Sequence, residues 1–473
     1  MPTFHIENFG CRATQADAAA IERQLLDRGY DASADSVGAD VIVVNTCTVT
    51  AAADAQARGA IREFARQSAG ARIVVTGCYA QRAPEELAAL PGVAWVVGNS
   101  HRTEIPRIVS EIRVAGFARH QEMVPLAKLA FPSPANLPPD DIARAKILTG
   151  DIFELNEIAV APVDGGEAGH TRPTLKIQDG CDNRCAYCVI PFVRGRSRSL
   201  APDRVVAEIS RLVECGAQEI VLSGINLGSY GRDLTPRVEF ADVLRRILDE
   251  TSLARLRISS IEPMDVTQDL IEVFASTDRI ARHFHIPLQS GSDKVLAAMH
   301  RRYRAEQYAR HAELIREWML EAAIGADVIA GFPGESDADH RATCELVEQL
   351  PLTYLHAFSF SVRPGTGAAK LEEGVPSDVI RERARELRAI GARKKRAFAA
   401  DQVGKRLRVL TLNTNEKEKS EDRENVSRAI SSNYLDLRVA GRFPANQWLD
   451  VEITSFDGDR LKAECVDAFS IQK

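Results

Sequence analysis

The sequence predicts an α/β protein in three parts: an N-terminal parallel sheet with helices on its faces, an incomplete (β/α)6 barrel, and a small C-terminal β-barrel. Three observations predict it. Over residues 1–115, short apolar runs alternate with helix-patterned stretches. The same alternation recurs six times over residues 173–380, and from residue 401 only short strands follow. Strand–helix alternation implies parallel sheets covered by helices, whereas closely spaced strands imply a closed antiparallel unit. The 473 residues are 45% hydrophobic and 27% charged, an ordinary globular composition, and predict about three domains. No apolar run approaches the ~18–20 residues of a membrane span. Met1–Cys11 lacks the basic segment and apolar core of a signal peptide. The expectation is a cytoplasmic protein. Nine cysteines are too few for a disulfide scaffold, so clustered ones read as metal ligands. A net charge of −6 argues against wholesale nucleic-acid binding but allows a local basic surface.

In the first part, Thr3–Phe9, Asp40–Asn45, Ala71–Thr76 and Ala94–Val97 read as strands. Helical patterns run from Thr14 to Arg28, Ala51 to Gln67 and Pro84 to Leu90. Residues 116–172 read as a linker with Pro132, Pro134, Pro138, Pro139 and the Asp164-Gly165-Gly166 turn, and a short helix near Asp140–Leu148. The barrel strands are Thr174–Gln178, Glu219–Ser223, Arg255–Ser259, Arg282–Ile286, Ile324–Ala330 and Tyr354–Phe360, separated by helices such as Pro202–Cys215 and Glu239–Glu250. Residues 381–400 read as a basic helical connector, within a stretch 381–408 that holds eleven Lys or Arg against three acids. Residues 401–473 follow as the β-barrel, with strands Arg406–Leu412, Tyr434–Val439, Leu449–Ser455 and Arg460–Val466 and a charged loop Glu416–Glu424.

Cys181, Cys185 and Cys188 form a CxxxCxxC triplet directly after the first barrel strand, where βα barrels carry their working residues. Three thiolates can hold three irons of a 4Fe-4S cluster and leave the fourth iron open. Structural zinc would want a fourth protein ligand, and none lies at zinc-site spacing. The triplet, with Tyr187 before its last cysteine, resembles the radical S-adenosylmethionine superfamily. That resemblance implies that the open iron binds S-adenosylmethionine and that its reductive cleavage gives a 5′-deoxyadenosyl radical. Leu222–Asn226 resembles the segment that contacts the methionine amino group, and Gly325–Glu335 the one near the adenosine. Ser223, Gly224, Ile329 and Gly331 are the candidate S-adenosylmethionine contacts. Gln289 and Arg363 are expected near the barrel mouth.

Cys11, Cys47 and Cys78 each lie just past a predicted strand of the N-terminal sheet. Parallel strands point their carboxyl ends to one edge, so the three thiols are expected to converge on one crevice. A second three-thiolate site implies a second 4Fe-4S cluster. The joint pattern is similar to the methylthiotransferase branch of the superfamily, which has an N-terminal cluster domain, a radical barrel and a C-terminal TRAM domain. The resemblance implies radical removal of hydrogen from an unactivated carbon and its replacement by a methylthio group, with two S-adenosylmethionine molecules consumed. Asn45–Thr50 (NTCTVT) and Lys176–Cys181 (KIQDGC) resemble relatives that act on N6-threonylcarbamoyladenosine in tRNA. The alternatives are an isopentenyladenosine tRNA or a ribosomal-protein aspartate as substrate, and, outside enzymes, an iron–sulfur RNA-binding or electron-transfer protein. Expected partners are tRNA, an external electron donor and a sulfur donor, with no membrane and no DNA. The basic stretch, together with Arg194, Arg196 and Arg198 around the barrel entrance, is expected to contact RNA phosphates. No catalytic residue beyond the clusters stands out. Cys215, Cys344 and Cys465 read as core or bystander residues.

Overall fold

The computed structural model describes residues 2–68, 70–111, 145–155, 158, 171–413 and 425–466. Most of the expected linker, with its Asp164–Gly166 turn, and the charged loop Glu416–Glu424 lie outside these residues. The chain divides into two compact units. One comprises Met1–Ala161 with Val189–Arg196, the other Pro162–Cys188 with Ser197–Lys473.

In the first unit, β1 (Thr3–Asn8), β2 (Asp31–Ala32), β3 (Val41–Thr46), β4 (Arg72–Gly77), β5 (Val93–Gly98) and β6 (Lys146–Leu148) pair in the order β2-β1-β3-β4-β5-β6. Every pairing is parallel. Every residue of β3, VIVVNT, is buried, as a parallel strand covered on both faces requires. The two faces carry separate cores, one around Ile42, Val44 and Ile61, the other around Phe4, Ile21 and Val43. Helix Ala51–Gln67 starts where Thr50 accepts a hydrogen bond from the Ala53 N–H, satisfying an otherwise orphaned donor. One expectation fails here. The described end of the helix expected at Asp140–Leu148 is β6, a sixth strand paired with β5.

In the second unit, β7 (Thr174–Lys176) is followed by a short antiparallel pair, β8 (Gln178–Asp179) and β9 (Arg198–Ser199). Then come β10 (Glu219–Ser223), β11 (Arg255–Ile258), β12 (His283–His285), β13 (Ala323–Ala330) and β14 (Tyr354–Ser359). The parallel sheets β7-β10-β11 and β12-β13-β14 are joined by single bridges at Leu256–Ile280 and Ser260–His285. The result is a six-stranded open barrel wrapped by amphipathic helices. Helix Pro202–Glu214, for example, buries Val205, Ile209 and Leu212 on one stripe.

Helix Ser377–Ala400 packs along β14. Part of its basic charge holds it there. Arg383 pairs with Glu335 and Asp337 at 2.8 and 2.7 Å, and Lys394 Nζ donates to the Glu348 and Leu350 carbonyls. Those two cations are docking groups rather than part of an RNA-facing stripe. β15 (Arg406–Thr411), β16 (Val426–Ser431), β17 (Asp436–Ala440), β18 (Trp448–Phe456) and β19 (Leu461–Cys465) close the terminal barrel in the order β15-β16-β17-β19-β18. β16 has no counterpart among the strands expected from the sequence.

The terminal barrel meets β10–β12 of the six-stranded barrel through charge and carbonyls. Glu219, fully buried, accepts from Arg257 at 2.7 Å, from Arg172 at 3.2 Å and from Arg255. The two strand arginines then donate onward, Arg255 to the Ile430 carbonyl at 3.1 Å, and Arg257 to Ser431 and Ser432 at 2.9 and 3.1 Å. Tyr434 stacks on His283 with ring centroids 4.4 Å apart.

Candidate functional site

In the first unit, Cys11 caps the helix Arg12–Leu26 after β1, Cys47 directly follows β3, and Cys78 directly follows β4 as the first residue of a short helix. β1, β3 and β4 are adjacent and parallel, so all three cysteines stand at the carboxyl edge of neighbouring strands. The turn into Cys78 depends on Gly77. Its φ is +97°, and a Cβ there would sit 2.3 Å from the Thr46 carbonyl oxygen. The thiols are close enough to feel one another. Burial pushes Cys47 up to about 12, and charge on Cys78 and Cys11 raises it further. Burial likewise raises Cys78, with Arg194 opposing. A thiol held this way stays protonated near neutrality unless a bound cation displaces the proton, which suits metal ligands better than nucleophiles.

The surroundings of Cys78 were not visible in the sequence. Asn99 Nδ2 donates to Cys78 Sγ at 3.6 Å and to the Val193 carbonyl at 2.8 Å. Val189 and Val193, at the short helix Ile190–Arg194, pack against Cys78. Arg194 is buried and pairs with Asp17 at 2.8 Å, and Arg102 pairs with the other Asp17 oxygen. This corrects the expected basic entrance. Arg194 is a buried partner of Asp17, and Arg198 is buried with its guanidinium 4.0 Å from Asp179, so neither presents charge to phosphates. Arg196 alone of the three is exposed.

In the second unit, Cys181, Cys185 and Cys188 occupy the loop after β8, and the Cys188 N–H donates to the Cys185 carbonyl at 3.0 Å. Burial pushes Cys181 up to about 11, and Cys185 adds to the rise. Arg301 Nη1 lies 3.3 Å from Cys185 Sγ, and its guanidinium is clamped by Glu262. Arg301 sits in the segment Met299–Tyr303, whose sequence alone assigns it no role. The cysteine loop is further fixed by Ala186, whose N–H donates to Met299 and whose carbonyl accepts from Ala368. Tyr187, Ile329 and Phe360 each pack against the buried cluster of Ala186, Val295, Met299, Phe332 and Ala368. A cavity of about 290 Å³ opens beside the loop, lined by Asn183, Cys185, Asn226, Glu262, Arg301 and Tyr303 among others.

The remaining candidates fall as follows. Ser223 ends β10 and is buried. A Cβ on Gly224 would meet Leu227 at 2.8 Å and Gln178 at 3.0 Å. Ile329 lies on β13 and packs against the same buried cluster as Tyr187. Gly331 has φ +78°, donates its N–H to Glu335 and is covered by Ile380, which a Cβ would meet at 2.3 Å. Gln289 has φ +66° and bridges to β13, and Arg363 is buried. Cys215 caps a helix, Cys465 ends β19, and neither joins a triplet; Cys344 lies 3.5 Å from His340 on its own helix. Among the described residues, no helix is long and apolar enough to cross a membrane.

Comparison with known proteins adds two family matches. Residues 3–98 match the uncharacterized protein family UPF0004, and residues 175–347 match the Radical SAM superfamily. The chain is 33% identical to the threonylcarbamoyladenosine tRNA methylthiotransferase MtaB of Aquifex aeolicus, across 92% of this chain and 96% of that one. It is 36% identical to the tRNA-2-methylthio-N(6)-dimethylallyladenosine synthase of Syntrophobacter fumaroxidans, across 82% of this chain and 80% of that one. Among solved structures, the radical S-adenosylmethionine methyltransferase TsrM from Kitasatospora setae aligns with a TM-score of 0.54 at 15% identity, covering 76% of this chain and 73% of that one. That last likeness concerns the fold.

Proposed function

The chain belongs to the radical S-adenosylmethionine methylthiotransferase family, and from that membership we propose that it converts N6-threonylcarbamoyladenosine beside the anticodon of tRNA to its 2-methylthio derivative. The observation that carries the reading is the match, nearly end to end, with a relative named for that nucleoside. A 4Fe-4S cluster and S-adenosylmethionine come with the superfamily. When bound, they supply reductive sulfonium cleavage and hydrogen-atom abstraction. Cys181, Cys185 and Cys188 would hold that cluster, and Ser223, Gly224, Ile329 and Gly331 would line the S-adenosylmethionine. Cys11, Cys47 and Cys78 would hold a second cluster, on the sulfur side of the reaction. The donor sets suit these groups. Each has three free cysteines, all buried or half-buried except Cys11, one set within a tight loop and the other at neighbouring strand ends.

The chain's own residues do the rest. Glu262 holds Arg301 with its guanidinium against the Cys185 sulfur, fixing that side of the cysteine loop. Asn99 donates a hydrogen bond to Cys78 Sγ, which favours its thiolate. The packing of Tyr187, Ile329 and Phe360 around the buried cluster of Ala186, Met299 and Phe332 keeps water from one side of the cysteine loop. In this reading residues 1–115 are the cluster-binding domain and residues 173–380 the radical barrel. Residues 381–400 connect it to the TRAM-like barrel 401–473, which would touch RNA. An external electron donor, a sulfur donor and a cytoplasmic setting complete it.

Nucleoside mass spectrometry of tRNA from a deletion strain, with and without the gene restored, tests the reading. Loss and return of 2-methylthio-N6-threonylcarbamoyladenosine is the expected result, and its persistence without the gene and without a redundant enzyme refutes it. The 36% identity to a dimethylallyladenosine synthase favours one second reading, in which the nucleoside lost is 2-methylthio-N6-dimethylallyladenosine. The same spectra separate the two.

A further inference from the structure

We propose that His285, Asp327 and His356 form a divalent-cation site on the strands of the radical barrel, with open coordination positions. The proposal is independent of which nucleoside is modified. The three residues come from three successive strands, β12, β13 and β14. Alternation along β13 puts Asp327 on the same face as Ile329, which packs against the buried cluster that includes Ala186 of the cysteine loop. The alternate neighbours Ala326 and Val328 are fully buried, whereas Asp327 and Ile329 are only partly so. The site therefore lies on the β13 face that carries Ile329, two residues along the strand from that cluster.

The donor set is two imidazoles and a carboxylate, which suits divalent metals that prefer nitrogen and oxygen, such as Mn²⁺, Fe²⁺, Co²⁺ or Zn²⁺. His285 Nε2 and His356 Nδ1 both point at Asp327 Oδ1, at 3.0 and 3.1 Å. Metal bonds of about 2.1 Å would place neighbouring ligands of an octahedral sphere about 3.0 Å apart, so a cation would enter with little rearrangement. The other ring nitrogen of His285 lies 2.6 Å from Ser260 Oγ. Such an outer partner fixes the ring and its tautomer in metal sites. With both imidazoles neutral, the set carries one negative charge. Asp327, unlike Glu219 and Asp17, pairs with no arginine or lysine among the described residues. The His356 side chain is 56% exposed and Asp327 23%, so water or a substrate oxygen can complete the sphere.

The test uses the anaerobic enzyme with its clusters loaded, titrated with Mn²⁺ and followed by the EPR signal of the unbound ion. Mn²⁺ is chosen because it avoids thiols, so Cys215, Cys344 and Cys465 do not compete. Saturable binding of one Mn²⁺ per chain, weakened at least tenfold in Asp327→Asn and in His356→Ala, is expected. His356 is exposed, so its variant decides the matter if Asp327→Asn does not fold. No saturable binding by the wild-type chain, or binding unchanged by His356→Ala, overturns the proposal. Loss of binding in His340→Ala alone also overturns it, by assigning the ion to the His340–Cys344–Glu386 group instead.

Discussion

Glu219→Gln is expected to weaken the hold of the terminal barrel on the radical barrel. Glu219 is fully buried and pairs with three arginines, two of which also donate to the carbonyls of Ile430, Ser431 and Ser432. Glutamine keeps the shape but removes the charge, leaving buried guanidinium groups uncompensated. Breaking a buried pair from one side costs about 3–5 kcal/mol. At about 2 °C per kcal/mol for a unit of this size, the unfolding transition falls by about 6–10 °C. Thermal melting by circular dichroism measures this. Hydrogen exchange across β16 and residues 430–434 locates it. The pH dependence gives a second arm. Burial opposes ionisation of Glu219, but Arg257, Arg255 and Arg172 outweigh it and hold the carboxyl far below its ordinary value. A carboxylate depressed in the folded state stabilises fully above its unfolded pKa of about 4.3, and the contribution shrinks as pH falls further. The gap between wild type and Glu219→Gln should therefore be constant from about pH 5 to 8 and narrow below pH ~4.3. A variant melting within about 2 °C of wild type at neutral pH, or a gap that widens in acid, would refute the reasoning.

Three further outcomes follow from the cysteine sites. Cys11→Ala should reduce iron in the anaerobically reconstituted protein from about eight to about four per chain, measured by iron and sulfide analysis. Unchanged iron would remove the N-terminal site. Gly77→Ala should fold poorly or lose the same iron, because a Cβ there meets the Thr46 carbonyl at 2.3 Å on a left-handed backbone; a cost of roughly 3 kcal/mol or more would show in denaturant melts, and a neutral result would contradict the left-handed turn into Cys78. Asn99→Leu should lower the reduction potential of the cluster proposed at Cys11, Cys47 and Cys78, since a hydrogen bond to a cluster thiolate favours the reduced form. An EPR-monitored redox titration with no shift would show that the 3.6 Å contact has no electronic effect.

Local patterns were legible where they determine the structure locally. The helix Ala51–Gln67 follows from its helical pattern, and the apolar VIVV run read as a buried strand is β3. The edge position of the three N-terminal cysteines followed from the strand alternation alone. Pairing partners distant in sequence were not legible. Three nearby arginines read as a basic patch, yet the partner of Arg194 is Asp17, 177 residues earlier. β6 is only three residues long, and such a short segment carries no period of its own. β16 (VSRAIS) alternates, but with serine and arginine among its six residues its apolar signal is thin. Arg301 and Asn99 lacked any signal beyond their residue type, because what matters is which sulfur they face.

The segment Val189–Arg196 belongs to the first unit although Cys188, one residue earlier, belongs to the second. This has a consequence for how the protein is made. When Ala161 leaves the ribosome, the first unit still lacks Val189 and Val193, which pack on Cys78, and Arg194, which neutralises Asp17. It can close only about 35 residues later, once Arg196 has emerged. At roughly 5–20 residues per second this is a delay of about 2–7 s, during which Asp17 has Arg102 but not Arg194 as a partner and the apolar surface beside Cys78 is uncovered by Val189 and Val193. Vectorial folding of this chain is therefore staggered: its first unit is begun first but finished only after Cys181, Cys185 and Cys188 of the second have already been synthesised.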